Sequence, residues 1–375
     1  MAFRILADDG IAVTPELMGI AKNLRRVPGS DIRREDLQDA DILLVRSITR
    51  VTEQLLAGSQ VTHVGSATAG FDHVDLDYLL QRGIGFSCAP GANANAVAEY
   101  VLSVLAARHR LGHVLEGGNI GILGYGNVGS HLAALVTALG GAVQCWDPWQ
   151  QIPDSIRAES LQQVLCQPVV SLHASLHDDA PWPSRAIIDR ESAQGGFPGQ
   201  LLINAARGGL ITPEAIGVLA DKGVELVLDV WPEEPRITTL QFDKVTLGTP
   251  HIAGYSLTAK QTATNMLVAA ITEKSPAMRT QQANAIDMRD CGTDSASDWL
   301  TRLLLANYDP GRDHRLLAVC VADTMAPETF EALRTDYPLR RELRGLPVEV
   351  DRELPARLQS LCKVLGARPE YTSGY

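Results

Sequence analysis

Ile120-Gly121-Ile122-Leu123-Gly124-Tyr125-Gly126-Asn127-Val128-Gly129 is the stretch that decides the fold of this chain. Residues 120–123 form an apolar run of strand type, and Gly124, Gly126 and Gly129 spell G-x-G-x-x-G directly after it. The first glycine of such a turn permits the tight bend. The second lets the backbone approach a pyrophosphate, and the third lets the next helix pack close to the strand. The helix opening near Gly126, with Asn127 and Val128 in its first turn, offers free N–H groups to phosphate. A glycine motif alone is weak; the strand before it and the helical pattern after it supply the context. Asp147 follows Gly129 by 18 residues, at the end of the next predicted strand. A carboxylate there holds ribose hydroxyls and repels a 2′-phosphate, so the expected cofactor is NAD rather than NADP.

Downstream of this motif, strands are predicted at 142–146, 169–172, 201–204, 226–230 and 245–247, with helices between them, one opening near Thr212. Upstream, strands are predicted at 3–7, 41–45 and 61–64, and helices at 15–20, 52–57 and 75–81. A long helix spans 93 to about 110, with Val97, Tyr100, Val101, Val104 and Leu105 at helical spacing. Another, from about 256 to 272, carries the chain back toward the first block. The expected class is α/β: two Rossmann-like, doubly wound parallel-sheet domains plus a small C-terminal α+β domain. The expected boundaries are 1–92 with 256–285 (substrate-binding and discontinuous), 93–255 (NAD-binding, with the hinge helix) and 286–375. In that last part, helices are predicted at 299–305, 326–335 and 354–365, and a strand at 316–321.

The 375 residues are 45% hydrophobic and 21% charged, an ordinary globular balance too long for one core. A net charge of −11 disfavours nucleic acid and anionic membrane surfaces as partners, while leaving room for a local basic pocket. The six cysteines form no C-x-x-C pair and read as reduced thiols. Residues 1–6 do not read as a signal peptide, and no uncharged apolar run reaches the ~18 residues of a membrane span. A cytoplasmic protein is expected. His109 with His113, and His173 with His177, lack the clustered carboxylate or thiolate ligands of a metal site, so no metal is expected.

Three segments end successive predicted strands: Asn204-Ala205-Ala206-Arg207-Gly208, Asp229-Val230-Trp231-Pro232-Glu233-Glu234-Pro235 and Thr249-Pro250-His251-Ile252-Ala253-Gly254-Tyr255. Ligands in open α/β sheets bind at the carboxyl ends of the strands, so an arginine, a carboxylate and a histidine converge on one crevice. Oxidising a C2 alcohol needs a base for the hydroxyl proton, and His251 has the intrinsic pKa for it. A carboxylate from Glu234, with Glu233 as competitor, can hold the other ring N–H and stabilise imidazolium. Arg207 can hold a substrate carboxylate in a bidentate fork. Each residue alone also fits a bland role as helix cap, solvated loop acid or surface ion-pair partner; their order at strand ends joins them.

These segments resemble the D-isomer-specific 2-hydroxyacid dehydrogenase superfamily, in order, over about residues 1 to 275. The resemblance favours Glu234 over Glu233, and it makes Arg207, Glu234 and His251 catalytic. Closer features resemble the branch of that superfamily that oxidises 4-phospho-D-erythronate to 2-oxo-3-hydroxy-4-phosphobutanoate in pyridoxal 5′-phosphate biosynthesis. They are residues 44–49, 64–73, 88–93 and 251–256, the last reading His-Ile-Ala-Gly-Tyr-Ser. The expected substrate is thus a small phosphorylated hydroxy acid. The resemblance implies that Ser47, Thr68 and Tyr255 bind it, and Arg46 can add a charge-assisted contact. It also implies that Ala174, Ala205, Ala206, Arg207, Asp229 and Gly254 join Gly124, Gly126, Asn127, Val128, Gly129 and Asp147 around NAD. Residues 308–310 and 337–342 resemble the branch's dimerisation domain, so a homodimer through 286–375 is expected. Ala174-Ser175 after His173, Phe71 and Ala206 depart from the usual pattern. Phosphoglycerate- or glyoxylate-type dehydrogenases, and a non-catalytic NAD-sensing protein, are the alternatives.

Overall fold

The computed structural model describes residues 2–274, 284–289, 291, 295–322, 326–335, 337–338, 340–351 and 353–371. Met1 and Leu339, both within stretches read above, lie outside the described residues. The chain divides into two compact units, Met1–Asn93 with Tyr255–Gln281 and Ala94–Gly254 with Gln282–Tyr375.

In the first unit, β1 (Phe3–Asp8), β2 (Ala21–Val27), β3 (Ile42–Val45), β4 (His63–Ser66) and β5 (Gly85–Cys88) form a parallel sheet in the order β2-β1-β3-β4-β5. Side chains alternate across a strand, and here both faces are covered. Ile5, Ala7, Ile42 and Leu44 enter one core together with Leu267 and Val268 of the returning helix Leu257–Thr272. Leu6, Leu43, Val45 and Val64 enter the other, with Leu56 and Leu79. Thr14 caps the helix Pro15–Ile20 by accepting from the Leu17 N–H, with proline in the first turn. β2 and β5 were not expected. β2 carries Lys22, Arg25 and Arg26 on an edge of the sheet, where polar side chains reach water and hide the strand's apolar pattern.

In the second unit, β6 (Asn119–Leu123), β7 (Ala142–Trp146), β8 (Val169–Leu172), β9 (Leu201–Asn204), β10 (Glu225–Leu228) and β11 (Leu247–Gly248) form a parallel sheet in the order β11-β10-β9-β8-β6-β7. The two parallel sheets match the expected class. Crossovers change direction between β6 and β8, which puts the crevice of this sheet at the carboxyl ends of those strands. The helix Ala94–Ala107 is buried on every side from Ala96 to Ala106, as its nearly unbroken apolar sequence requires.

The C-terminal residues hold a third, three-stranded parallel sheet of β12 (Ile286–Asp287), β13 (Pro347–Val350) and β14 (Arg368–Tyr371). The same part of the chain holds helices Ala296–Asn307, Pro310–Ala322, Pro327–Thr335 and Ala356–Leu365, of which the first and last pack on this sheet. The strand expected at 316–321 is instead the last half of the helix Pro310–Ala322. Its buried residues, Pro310, Asp313, Leu317 and Val321, recur at helical spacing, and that wins over the β-branched run. Leu317, Val321 and Phe330 share the core of Leu226, Trp231 and Phe242, so this segment is built into the nucleotide unit. Among the described residues, no helix is long and apolar enough to cross a membrane.

Candidate active site

The glycine loop follows β6 at the switch point of the six-stranded sheet. Gly124 has φ +94°, and a Cβ there would collide with the backbone of His173 and Ala174, at the end of β8. A Cβ on Gly129 would collide with the Gly124 carbonyl, so helix Asn127–Ala138 lies close against the loop. Gly126 faces open space, with no atom within 4 Å of its would-be Cβ. Two glycines thus build the cradle and the middle one leaves the room a pyrophosphate needs. The Asp147 carboxylate is held in place by the Tyr125 N–H at 2.8 Å and the Trp149 N–H at 2.8 Å. The residues fit NAD: a phosphate-binding helix start, open space before it and an oriented carboxylate for the ribose. His173 accompanies the cradle. Its Nε2 lies 2.8 Å from Ser171 Oγ, its Nδ1 is buried without a partner, and burial lowers its pKa to about 3, so the ring is neutral.

His251 follows β11, with φ +56°. That left-handed backbone costs of order 1–3 kcal/mol in a non-glycine residue and needs support. Asp229, buried to 1% exposure after β10, supplies it. Its backbone carbonyl accepts from the His251 N–H at 2.7 Å. Its Oδ1 accepts from Thr249 Oγ1 at 2.6 Å and from the Ile252 N–H at 2.8 Å, and its Oδ2 from the Ala253 N–H at 2.9 Å. Tyr100 of the buried helix lies 2.8 Å from Thr249 Oγ1 and extends the network. Asp229 also anchors the loop that carries His251 and Gly254.

His251 Nδ1 lies 2.7 Å from Glu234 Oε1, and Glu234 Oε2 accepts from the Trp231 N–H at 3.2 Å. Burial pushes the Glu234 carboxyl up, but the charge and hydrogen bond of His251 and the Trp231 N–H outweigh it, and the pKa ends below the ordinary value. Glu234 stays ionised, with the imidazole beside it. Of the two candidate acids, Glu234 is the one on the ring.

Arg207 sits after β9 in a loop shaped by Asn204. The Asn204 side chain accepts from the Ala206 N–H at 3.1 Å and donates to the Arg207 carbonyl at 3.0 Å. The Arg207 guanidinium donates to the Ala206 carbonyl at 2.7 Å and forms no ion pair with a described residue, so its charge is available to a ligand. Gly208 cannot carry a side chain, because its Cβ would meet the Trp231 carbonyl. Ala205 is half-buried and Ala206 buried in the same loop.

In the first unit, Arg46 and Ser47 follow β3, Thr68 follows β4 and Tyr255 precedes the returning helix. Arg46 pairs with the fully buried Asp8 at 2.9 Å. Ser47 is exposed. Thr68 Oγ1 donates to the Gly70 carbonyl at 2.8 Å and lies 2.7 Å from Ser66 Oγ, so this hydroxyl also ties its own loop. The Tyr255 ring stacks under Lys260, whose Nζ is 5.2 Å from the ring centre. Lys260 lies in a helix without a motif and was not picked out from the sequence. Arg340, read from sequence only as part of the 337–342 stretch that resembles a dimerisation domain, donates to the carbonyls of Ala96 and Ala253.

Among the described residues, no group of three or more His, Cys, Asp or Glu could hold a metal. Residues 94–253 match the family model "D-isomer specific 2-hydroxyacid dehydrogenase, NAD binding domain", and residues 278–364 match "Domain of unknown function (DUF3410)". The chain is 36% identical to an erythronate-4-phosphate dehydrogenase of Stutzerimonas stutzeri, covering 97% of this chain and 99% of the relative. It is 38% identical to another from Azotobacter vinelandii, covering 98% and 100%. Solved structures share the fold at lower identity. NAD-bound 3-phosphoglycerate dehydrogenase of Entamoeba histolytica matches at 22% identity and TM-score 0.61, over 72% of this chain and 94% of that one. D-lactate dehydrogenase of Aquifex aeolicus, bound to NAD and lactic acid, matches at 22% and 0.57, over 72% and 94%.

Proposed function

We propose, from the premise that this chain belongs to the erythronate-4-phosphate dehydrogenases, that it oxidises the C2 alcohol of 4-phospho-D-erythronate to 2-oxo-3-hydroxy-4-phosphobutanoate, toward pyridoxal 5′-phosphate. It is an NAD-dependent oxidoreductase of the 2-hydroxyacid dehydrogenase type. The observation that carries the chemistry is the 2.7 Å contact between His251 Nδ1 and Glu234 Oε1. With Glu234 accepting at Nδ1, Nε2 bears the lone pair that takes the C2 hydroxyl proton. Glu234, ionised, then stabilises the imidazolium. NAD, when bound, supplies the hydride acceptor. Arg207 holds the substrate carboxylate and polarises the C2 oxygen. Arg46, Ser47, Thr68 and Tyr255 hold the rest of the substrate. Gly124, Gly126, Asn127, Val128, Gly129 and Asp147, with Ala174, Ala205, Ala206, Arg207, Asp229 and Gly254, surround the cofactor.

The domain reading goes with this: residues 1–92 and 256–285 bind substrate, 93–255 bind NAD, and 286–375 form a homodimer of a cytoplasmic protein. Support for the dimer is the C-terminal resemblance together with Leu316 and Val319, large apolar residues left exposed on one helix. Sedimentation of the full chain tests it; a monomer at micromolar concentration refutes it.

The activity test is NAD reduction with 4-phospho-D-erythronate against 3-phospho-D-glycerate. A strong preference for the four-carbon acid is expected. Preference for phosphoglycerate overturns the substrate, and turnover of no hydroxy acid restores the sensor reading.

A further inference from the structure

The five-stranded sheet has its own switch point. Its order β2-β1-β3-β4-β5 reverses between β1 and β3, and ligands of open α/β sheets sit at the carboxyl ends of the strands flanking such a point. Asp8 ends β1 and Arg46 follows β3. Arg46 donates from Nε at 3.0 Å, and approaches from Nη2 at 2.9 Å, the same oxygen, Asp8 Oδ1. That oxygen also accepts from the Gly10 N–H at 2.8 Å. A Cβ on Gly10 would fall in the guanidinium's place, so the glycine leaves room for Arg46 to reach Asp8. Arg46 is therefore locked at the strand ends with one edge turned to the anchor and donors to spare.

Lys260 comes to the same place from the returning helix, which is tied to the loop after β1 where Thr264 Oγ1, one turn beyond Lys260, donates to the Ala12 carbonyl at 3.0 Å. Its ammonium stands over the Tyr255 ring and forms no hydrogen bond or ion pair among the described residues. Burial and the nearby charge of Arg46 lower its pKa, with Asp8 opposing. Two cations thus share one buried carboxylate, whose Oδ1 is taken by Arg46 and the Gly10 N–H while Oδ2 has no hydrogen-bond partner among the described residues, and one carboxylate against two cations leaves one net positive charge beside a phenol. A second locked cation beside the first is costly unless an anion joins them.

We propose that Lys260, together with Arg46 and Tyr255, forms the subsite for the substrate's terminal phosphomonoester. The proposal rests on the substrate reading above and gives it a residue that neither the glycine loop nor the His251 loop contains. A dianion placed there neutralises the surplus charge. It takes fork-like donors from Arg46, a point charge from Lys260 and a phenolic donor from Tyr255.

The test uses the full chain carrying Lys260→Met, which keeps the stem over Tyr255 and removes the charge, with Lys260→Arg as the conservative variant. NAD reduction is measured with 4-phospho-D-erythronate and with unphosphorylated D-erythronate, and inorganic phosphate binding by calorimetry. In K260M the preference for the phosphorylated acid is expected to fall about 100-fold, chiefly through KM, with phosphate binding weakened in parallel. K260R should recover most of both. Preference and phosphate affinity within about twofold of wild type overturn the subsite, even if the wild type turns over the phosphorylated acid well. Loss of phosphate binding in K260M, in a chain whose wild type oxidises neither acid, overturns the substrate reading and keeps the subsite. A wild type that neither oxidises these acids nor binds phosphate overturns both.

Discussion

Arg340 donates through Nη2 to the carbonyl of Ala253, 87 residues back along the chain and two residues past His251. The same guanidinium reaches the Ala96 carbonyl at 3.2 Å and lies 4.5 Å over the Tyr308 ring. Asp229 holds the N–H side of the histidine loop, and Arg340 holds the carbonyl side. The C-terminal residues therefore reach the histidine through its backbone.

Arg340 is then a positioning residue. Arg340→Met should lower kcat about 30-fold, because small misplacement of a reacting group is costly, while KM for NAD moves little. Arg340→Lys should retain part of the rate. A variant that loses NAD affinity and kcat together would point to general unfolding instead.

His251→Asn removes the base but keeps a residue that tolerates the left-handed backbone at φ +56°. We expect kcat to fall about 1,000-fold with the melting temperature nearly unchanged. Near-normal turnover would refute the assignment of His251.

Gly126→Ala and Gly129→Ala should part company. The first places a methyl in open space and should leave the fold intact, while weakening NAD about tenfold. The second forces a methyl into the Gly124 carbonyl and should cost about 1–3 kcal/mol of stability. Thermal melts and NADH fluorescence titrations of both variants check the pair. Equal losses in both readouts would contradict the cradle described above.

Asp229→Asn turns one accepting oxygen into a donor facing Thr249 Oγ1 and the Ile252 N–H or facing the Ala253 N–H. Leaving such a buried contact unmade costs about 1–3 kcal/mol. Urea unfolding should show that loss, along with reduced kcat. A fully stable variant would mean that the loop is held by other groups.

Glu99 predicts a pH dependence. Burial, and then the charge of Glu342, raise its carboxyl from 4.5 to about 8, against opposing hydrogen bonds from the Leu343 N–H and Asn95 and the charge of Arg340. Between those values the folded chain keeps a proton that the unfolded chain releases. This group's contribution to stability is therefore full below pH 4.5, declines as pH rises and is gone above about 8. The urea midpoint should fall from about pH 5.5 to about pH 8, and Glu99→Gln should flatten that slope. An unchanged slope in the variant would assign the effect elsewhere.

Local pattern made the six-stranded sheet legible. Residues 142–146, 169–172 and 201–204 are strands with the bounds expected, because each is a short apolar run between turn residues. The glycine loop, Arg207 and His251 follow strand ends and were located for the same reason, whereas local pattern left Glu233 and Glu234 open and the resemblance chose Glu234. Residues 316–321 misled, since a β-branched apolar run reads alike in a strand and in a buried helix face. Lys260 carries no local signature, and Arg340 stood only in a stretch likened to a dimerisation domain, with nothing local to tie it to the histidine loop. What distinguishes them is a partner far along the chain, and periodicity does not record partners.

The return of the helix Leu257–Thr272 to the first unit has a consequence for synthesis. As the chain leaves the ribosome, every strand of the six-stranded sheet has appeared by Gly248. Leu267 and Val268, which close one core of the five-stranded sheet, have not. The first-made strands must wait with Ile5, Ile42 and Leu44 covered only in part, by Ile11 and Leu17, while the whole nucleotide-binding sheet is translated. The sheet begun first is thus still half-covered when every strand of the second has been made, and it is a stretch of the nascent chain in need of a chaperone.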